Sequence, residues 1–169
     1  MAYFLEEQRF RQFWIYLIIA IPVVVTWWGF LEQIVLGRSW GDRPAPNWVV
    51  ILVWLVFGIG FPWFFWSLRM TTRVDASGIE VRWRPVRAGV TLAYGEVERH
   101  EVISYRAIRE FGGWGVRWGG GNRRAYNVSG NQGVELFLGD GRSIVVGSER
   151  AEELDIAISV GEADAARGR

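Results

Sequence analysis

Twenty consecutive residues between Arg11 and Glu32, QFWIYLIIAIPVVVTWWGFL, carry no charge, and twenty-five more separate Arg43 from Arg69. The apolar part of the second run is WVVILVWLVFGIGFPWFFWSL. A helix rises about 1.5 Å per residue, so roughly 20 residues cover the ~30 Å hydrocarbon core of a bilayer. Neither run has the polar stripe at helical spacing that keeps one face of a soluble helix wet. A chain of 169 residues has too little other structure to surround two such helices. Two transmembrane helices are therefore expected, at 12–36 and 47–68, joined by a short extracytoplasmic loop at 37–46. A cytoplasmic segment, 1–11, precedes them.

The first run is longer than the ~7–15-residue apolar core of a signal peptide, and no small-x-small cleavage site follows it. Pro22 lies inside the first span and Pro62 inside the second, behind Gly58 and Gly60. Membrane helices tolerate both prolines because neighbouring groups re-satisfy the freed carbonyls, and the glycines read as a notch for helix packing. Eight of the eleven tryptophans precede residue 69, and Trp14, Trp27, Trp28, Trp48, Trp63 and Trp66 fall near the span ends. There an indole keeps its ring dry and its N–H wet. Glu32 is terminal and can reach the surface. Arg9, Arg11, Arg69, Arg73, Arg82 and Arg84 flank the outer ends, against Arg38 and Arg43 in the loop. Six against two places both termini in the cytoplasm. The expected location is the cell (plasma) membrane, with multi-pass topology.

Composition removes most chemistry. Every basic residue is arginine, so a Schiff-base lysine and a Walker-type phosphate loop are excluded. There is no cysteine and a single histidine, His100, which excludes thiolate metal sites and thiol nucleophiles. Nineteen basic residues against eighteen acidic ones leave no footprint for nucleic acid. No cofactor, metal or small-molecule substrate is expected.

From Thr71 the texture becomes period-two alternation. Ile79, Val81 and Trp83 alternate with charged residues; Val90, Leu92 and Tyr94, then Trp114, Val116 and Trp118, then Val134, Leu136 and Leu138 repeat the pattern. These are strands with one dry face. Asp140-Gly141 reads as a two-residue hairpin turn. Ser148 can cap a helix whose Leu154, Ala157 and Ile158 form one apolar stripe, with Gly161 ending it. The expectation is α + β: a transmembrane helical hairpin, then a small antiparallel barrel or roll at 71–161, closed by a helix at 148–160 and followed by a disordered tail at 162–169. The strand-rich part, residues 70–161, is expected to fold alone. His100, among Glu96, Glu98, Arg99 and Glu101, reads as exposed and idle, and "GGWGVRWGGG" as a hairpin between strands, since a phosphate loop opens a helix.

The pieces "FGGWG", "AYNVSGNQGVEL" and "VGSERAEEL" within residues 109–158, behind two N-terminal apolar helices, resemble the bacterial pleckstrin-homology-like membrane proteins, an uncharacterised group. The resemblance implies a pleckstrin-homology-like barrel on the cytoplasmic side and carries over no catalytic or binding residues.

Between Arg69 and Arg124 stand eleven arginines and six acids; between Ala125 and Arg169, four arginines and eight acids. The basic part is the one tethered to the second span. Trp118, Arg117, Arg123 and Arg124 are the candidate contacts with a lipid headgroup layer or a partner. The competing reading puts Trp114 and Trp118 on the dry strand face. The expected function is a membrane-anchored, non-enzymatic adaptor that binds a protein partner, which can be a second copy, or the anionic bilayer surface. The alternatives are a membrane enzyme or an accessory subunit of one, acting on lipid or peptide, and transport through the helix pair. Two spans without a central ionisable residue offer no polar pathway for the last.

Overall fold

The computed structural model describes residues 2–167. They form two compact units, one of residues 10–68 and one that unites residues 2–9 with 69–167.

The first unit contains two helices, α1 (Phe13–Val35) and α2 (Asn47–Ser67). Both are long and apolar enough to cross a membrane, and only 17% and 11% of their most apolar windows are buried. A core helix of a soluble protein would be mostly covered, so these two present apolar surface outward. Their contact is aromatic. Trp27 meets Trp54 edge-on at 5.2 Å, and Phe30 stacks on Trp54 at 4.1 Å. Pro62 has no N–H to give the Gly58 carbonyl one turn back. The Trp27 indole of α1 donates to that carbonyl at 3.2 Å. Around it, Trp54–Gly60 widens into π-helical turns. Gly58 is buried there against Thr26 and the Trp54 ring, as a packing notch requires.

The second unit holds two sheets. The four-stranded sheet has the order β1 (Ala2–Arg9), β2 (Arg69–Asp75), β3 (Gly78–Arg84), β4 (Ala88–Leu92), antiparallel throughout. Met70, Val74, Ile79, Val81, Trp83 and Leu92 are buried in it, the dry face that alternation prescribes. The N-terminal segment is thus a strand of the β unit. Its inward positions are Phe4, Glu6 and Gln8, while Leu5 points outward. Polar residues facing inward gave it no strand signature. Arg9 pairs with Arg69, so the whole apolar unit is an insertion between two neighbouring strands of one sheet.

The second sheet comprises β5 (Val97–Ser104), β6 (Gly115–Trp118), β7 (Arg123–Asn127), β8 (Gln132–Leu138) and β9 (Ser143–Gly147), in the order β5-β8-β9-β7-β6. The sheets are separate and one pair is parallel, so the expected small antiparallel barrel or roll is corrected to an open two-sheet α + β arrangement. One pair, β7 with β9, is parallel. The β8–β9 hairpin forms, and β9 then inserts between β8 and β7. The chain reverses between β7 and β8 over residues 128–131, and β9 runs antiparallel to β8, so β9 runs with β7. The turn is also longer than expected: Leu138 N–H bonds the Arg142 carbonyl at 2.9 Å, and only Gly141 adopts positive φ, 79°. That is a loop with one left-handed residue, which glycine supplies without steric cost.

A short helix, α3 (Ala107–Phe111), covers one face of this sheet. Beneath it Tyr105, Ala107, Phe111, Ala125 and Val145 form a core, with Ile103 and Trp114 packed alongside. The C-terminal helix α4 (Ala151–Arg167) packs against β1, β2, β5 and β8. Its stripe of Leu154, Ala157 and Ile158 is buried, as its spacing requires. The helix does not stop at Gly161 but runs to Arg167. Gly161 is a close-approach site within the helix, where a Cβ would collide with the Tyr94 ring. Residues 162–167 of the expected tail are therefore helical, and 168–169 lie outside the described residues.

Candidate functional site

Antiparallel pairing of β6 and β7 sets Trp118 opposite Arg124. Trp118 is 71% exposed, so it does not belong to the dry face. Only Trp114 of the two packs against the core. Trp118 ends β6, the outer strand of the sheet. The Arg124 guanidinium sits 4.9 Å from the Trp118 ring and 5.0 Å from the Tyr126 ring. Such cation–π contacts give it no acceptor. Its Nε is buried without a hydrogen-bond partner, and among the described residues Arg124 forms no ion pair.

Arg123, adjacent in sequence, points to the other face and is fully engaged. It grips Glu135 with Nε and Nη2, both at 2.9 Å, and reaches Glu110 at 3.2 Å. The Ser143 hydroxyl donates to the same Glu135 carboxylate at 2.7 Å, and these carboxylates raise the Arg123 pKa against the opposing effect of burial. Glu135 is buried, so this fork ties β7 to β8 and α3. Arg117 donates through Nε to the Trp114 carbonyl at 3.0 Å and is otherwise exposed. The structure thus brings together Trp118 and Arg124, adds Tyr126, and separates Arg123 from them. Strand parity alone places residues 123 and 124 on opposite faces. Glu135, a charge inside an apolar run, was the signal for a buried partner.

His100 is neither exposed nor idle. Its side chain is 12% exposed, with Nδ1 2.6 Å from Asp155 Oδ1 and Nε2 3.6 Å from Glu162 Oε2. Asp155 and Glu162 are two helical turns apart, hence on one face of α4, and that face lies on β5. Nearby, the Tyr94 hydroxyl donates to the Asp75 carbonyl at 2.6 Å, and burial together with surrounding negative charge pushes its pKa up to about 12. Tyr3 donates to Asp164 at 2.8 Å. The cluster fastens α4 to both sheets. Among the described residues, no group of three His, Cys, Asp or Glu side chains is placed to hold a metal ion.

A second joint was invisible in the sequence. Glu6, buried on β1, accepts from the Ser148 hydroxyl at 2.7 Å, the Glu149 N–H at 3.1 Å and Gln8 Nε2 at 2.9 Å. The Ser148 hydroxyl in turn accepts from Arg150 N–H at 3.0 Å, closing a turn ahead of α4; the helix starts at Ala151 and not at the expected 148, so Ser148 is not its N-cap residue. Arg150 reaches back to the Leu5 carbonyl at 2.8 Å.

These features define an α + β protein in which an apolar helical pair interrupts a β unit, and whose accessible chemistry is an aromatic–arginine surface. Residues 2–164 match the model of a family of unknown function, DUF6141, and the chain belongs to that family. No curated protein and no solved structure matches the chain.

Proposed function

We propose that this chain is a membrane-anchored, non-enzymatic adaptor whose β unit works at the cytoplasmic surface of the bilayer, binding a protein partner there or the anionic surface itself. The observation that carries the reading is the Arg9–Arg69 pairing. A helical pair inserted between two paired strands must leave and return on the same side, so one sheet is tethered at two adjacent points. With six arginines at the outer ends against two in the connecting loop, that side is the cytoplasm. The up-and-down four-stranded sheet, the second sheet and the closing C-terminal helix support a pleckstrin-homology-like reading of the β unit; the parallel β7–β9 pair is its own departure from an all-antiparallel plan.

The test has two arms. A reporter fused after Arg169 reads orientation, and periplasmic activity overturns the topology. Co-purification from native membranes in mild detergent is expected to return a stoichiometric partner or a defined homo-oligomer. A lone species that turns over a lipid or peptide overturns the adaptor reading in favour of an enzyme.

A further inference from the structure

The registers of the first sheet collect arginines at one end. Arg9 pairs with Arg69, and Arg69 pairs with Arg84; Trp83 pairs with Ala88, so Arg87 closes the turn beside them. This is the end from which the apolar helices depart. Glu7 neutralises part of the row, at 2.7 Å from Arg9 and 3.7 Å from Arg69. Arg84 and Arg87 are exposed and form no ion pair among the described residues. Between them the turn presents Val86, 51% exposed.

The aromatic–arginine surface lies next to the same end. The Tyr126 hydroxyl donates to the Gly89 carbonyl at 3.4 Å, and Gly89 is two residues from Arg87. The Arg124 guanidinium, over the Tyr126 ring and the exposed Trp118 ring, is thereby carried to the side of β4 where the arginine row ends. The face combines Arg87 and Arg124, without a carboxylate partner among the described residues, Arg84, whose charge acts on Glu7 without an ion-pair contact, an exposed indole and an exposed valine, beside the attachment point of two apolar helices.

We infer that this face, formed by Arg84, Val86, Arg87, Trp118 and Arg124, is a docking surface for an anionic lipid leaflet, with phosphate oxygens serving as acceptors for the guanidiniums. The inference rests on the membrane-anchored reading and deepens it by naming the surface and its occupant. Charge complementarity selects an anionic leaflet over a neutral one. The indole suits the headgroup layer, where its ring is dry and its N–H is wet. Tethering at Arg9 and Arg69 keeps the face at high effective concentration near the bilayer, so weak individual contacts suffice.

The chain has no cysteine, which makes single nitroxide labels unambiguous. Val86→Cys marks the face; Ala76→Cys, at the exposed β2–β3 turn on the opposite end of the sheet, is the reference. The full chain is reconstituted in phosphatidylcholine nanodiscs with or without phosphatidylglycerol. In anionic discs the Val86 label is expected to collide more with oxygen and less with a water-soluble nickel chelate than the Ala76 label. Each of Arg84→Gln, Arg87→Gln and Arg124→Gln should lower the ratio of surface-bound to free label about five-fold, from ~1 kcal/mol per basic group. A Val86 label as aqueous as Ala76 in discs that contain the chain overturns the inference and leaves anchoring intact. Equal immersion in neutral and anionic discs also overturns it. So does protection of Val86 that appears only on adding a native membrane extract, which would assign the face to a protein. Failure of the chain to co-elute with discs sinks the anchoring reading itself, and this inference with it.

Discussion

Replacing Glu6 by alanine tests whether β1 and α4 form one cooperative unit. The carboxylate accepts three hydrogen bonds in a buried site, from Ser148, Glu149 and Gln8. Gln8 Nε2 keeps a second acceptor, the Gly147 carbonyl at 2.9 Å, and loses little. The Ser148 hydroxyl and the Glu149 N–H lose their acceptor. Hydrogen bonds to a charged acceptor are worth about 1.5–3 kcal/mol each. Removing the carboxylate also relieves the desolvation of a buried group that forms no ion pair among the described residues, which offsets part of the loss. The balance is a destabilisation of about 2–3 kcal/mol. Glu6→Gln keeps the volume and one acceptor oxygen but turns a donor toward the Glu149 N–H, so roughly half that loss is expected. The assay is amide hydrogen exchange of the full chain in detergent, followed at Val134–Leu138 in the middle of the second sheet. In the regime where exchange reports the opening equilibrium, 2.7 kcal/mol is about a hundred-fold acceleration. Strands that touch neither Glu6 nor α4 should accelerate as well if the unit is cooperative. A change below two-fold at β8 would refute the reasoning: β1 would then be an appendage and not part of the fold.

Four further outcomes follow from particular contacts. Because Arg9 pairs with Arg69, replacing residues 10–68 by an Asn-Gly turn should close an ordinary hairpin and give a soluble β unit that unfolds cooperatively in denaturant. Residues 70–161, expected from the sequence to fold alone, lack β1 and Glu6 and should instead melt broadly; equal cooperativity of the two would be the refuting result. Arg123→Ala should destabilise by about 2–4 kcal/mol, since it strands the buried Glu135, whereas Arg124→Ala should change stability by less than ~1 kcal/mol; paired denaturation curves decide. Trp27→Phe removes the donor to the Gly58 carbonyl and should lower thermal stability of the helical pair in detergent by about 0.6–2 kcal/mol, with no effect on the β unit. Hydrogen bonds from the Ser77 hydroxyl and N–H, then Arg73, hold the Asp75 pKa near 2, below its ordinary 3.8. A depressed carboxylate stabilises the fold above the unfolded pKa and loses that contribution as pH falls from about 4 to 2; exchange at the β2–β3 turn should speed up over that window, and Asp75→Asn should abolish the pH dependence.

Much of the architecture follows from local rules applied to the residues. Two uncharged runs of span length could become only long apolar helices, because every backbone group in such a run is satisfied internally by a helix. Alternation at Ile79–Trp83 specified a strand and its buried face, since side-chain parity in a strand is geometric; at Val134–Leu138 it specified the strand, but the second face is covered as well, at Glu135. The Leu154–Ile158 stripe likewise specified which face of the last helix docks. Residues whose role depends on a distant partner were beyond that reach. Glu6 and Gln8 look like surface residues until β1 is paired with β2 and α4 is laid across it. His100 looks like a solvated histidine until Asp155 and Glu162 arrive from a helix 55 residues later. Trp118 and Trp114 have the same parity and the same side chain, yet only Trp114, just ahead of β6, packs half-buried against the core, while Trp118 at the end of that outer strand is exposed. The insertion of β9 beside β7, and hence a parallel pair in place of an all-antiparallel barrel or roll, is also a matter of which strand edge is free when the chain returns. Local periodicity determines what each segment is. Long-range pairing decides which faces meet, which charges are matched, and which arginine is left without a carboxylate.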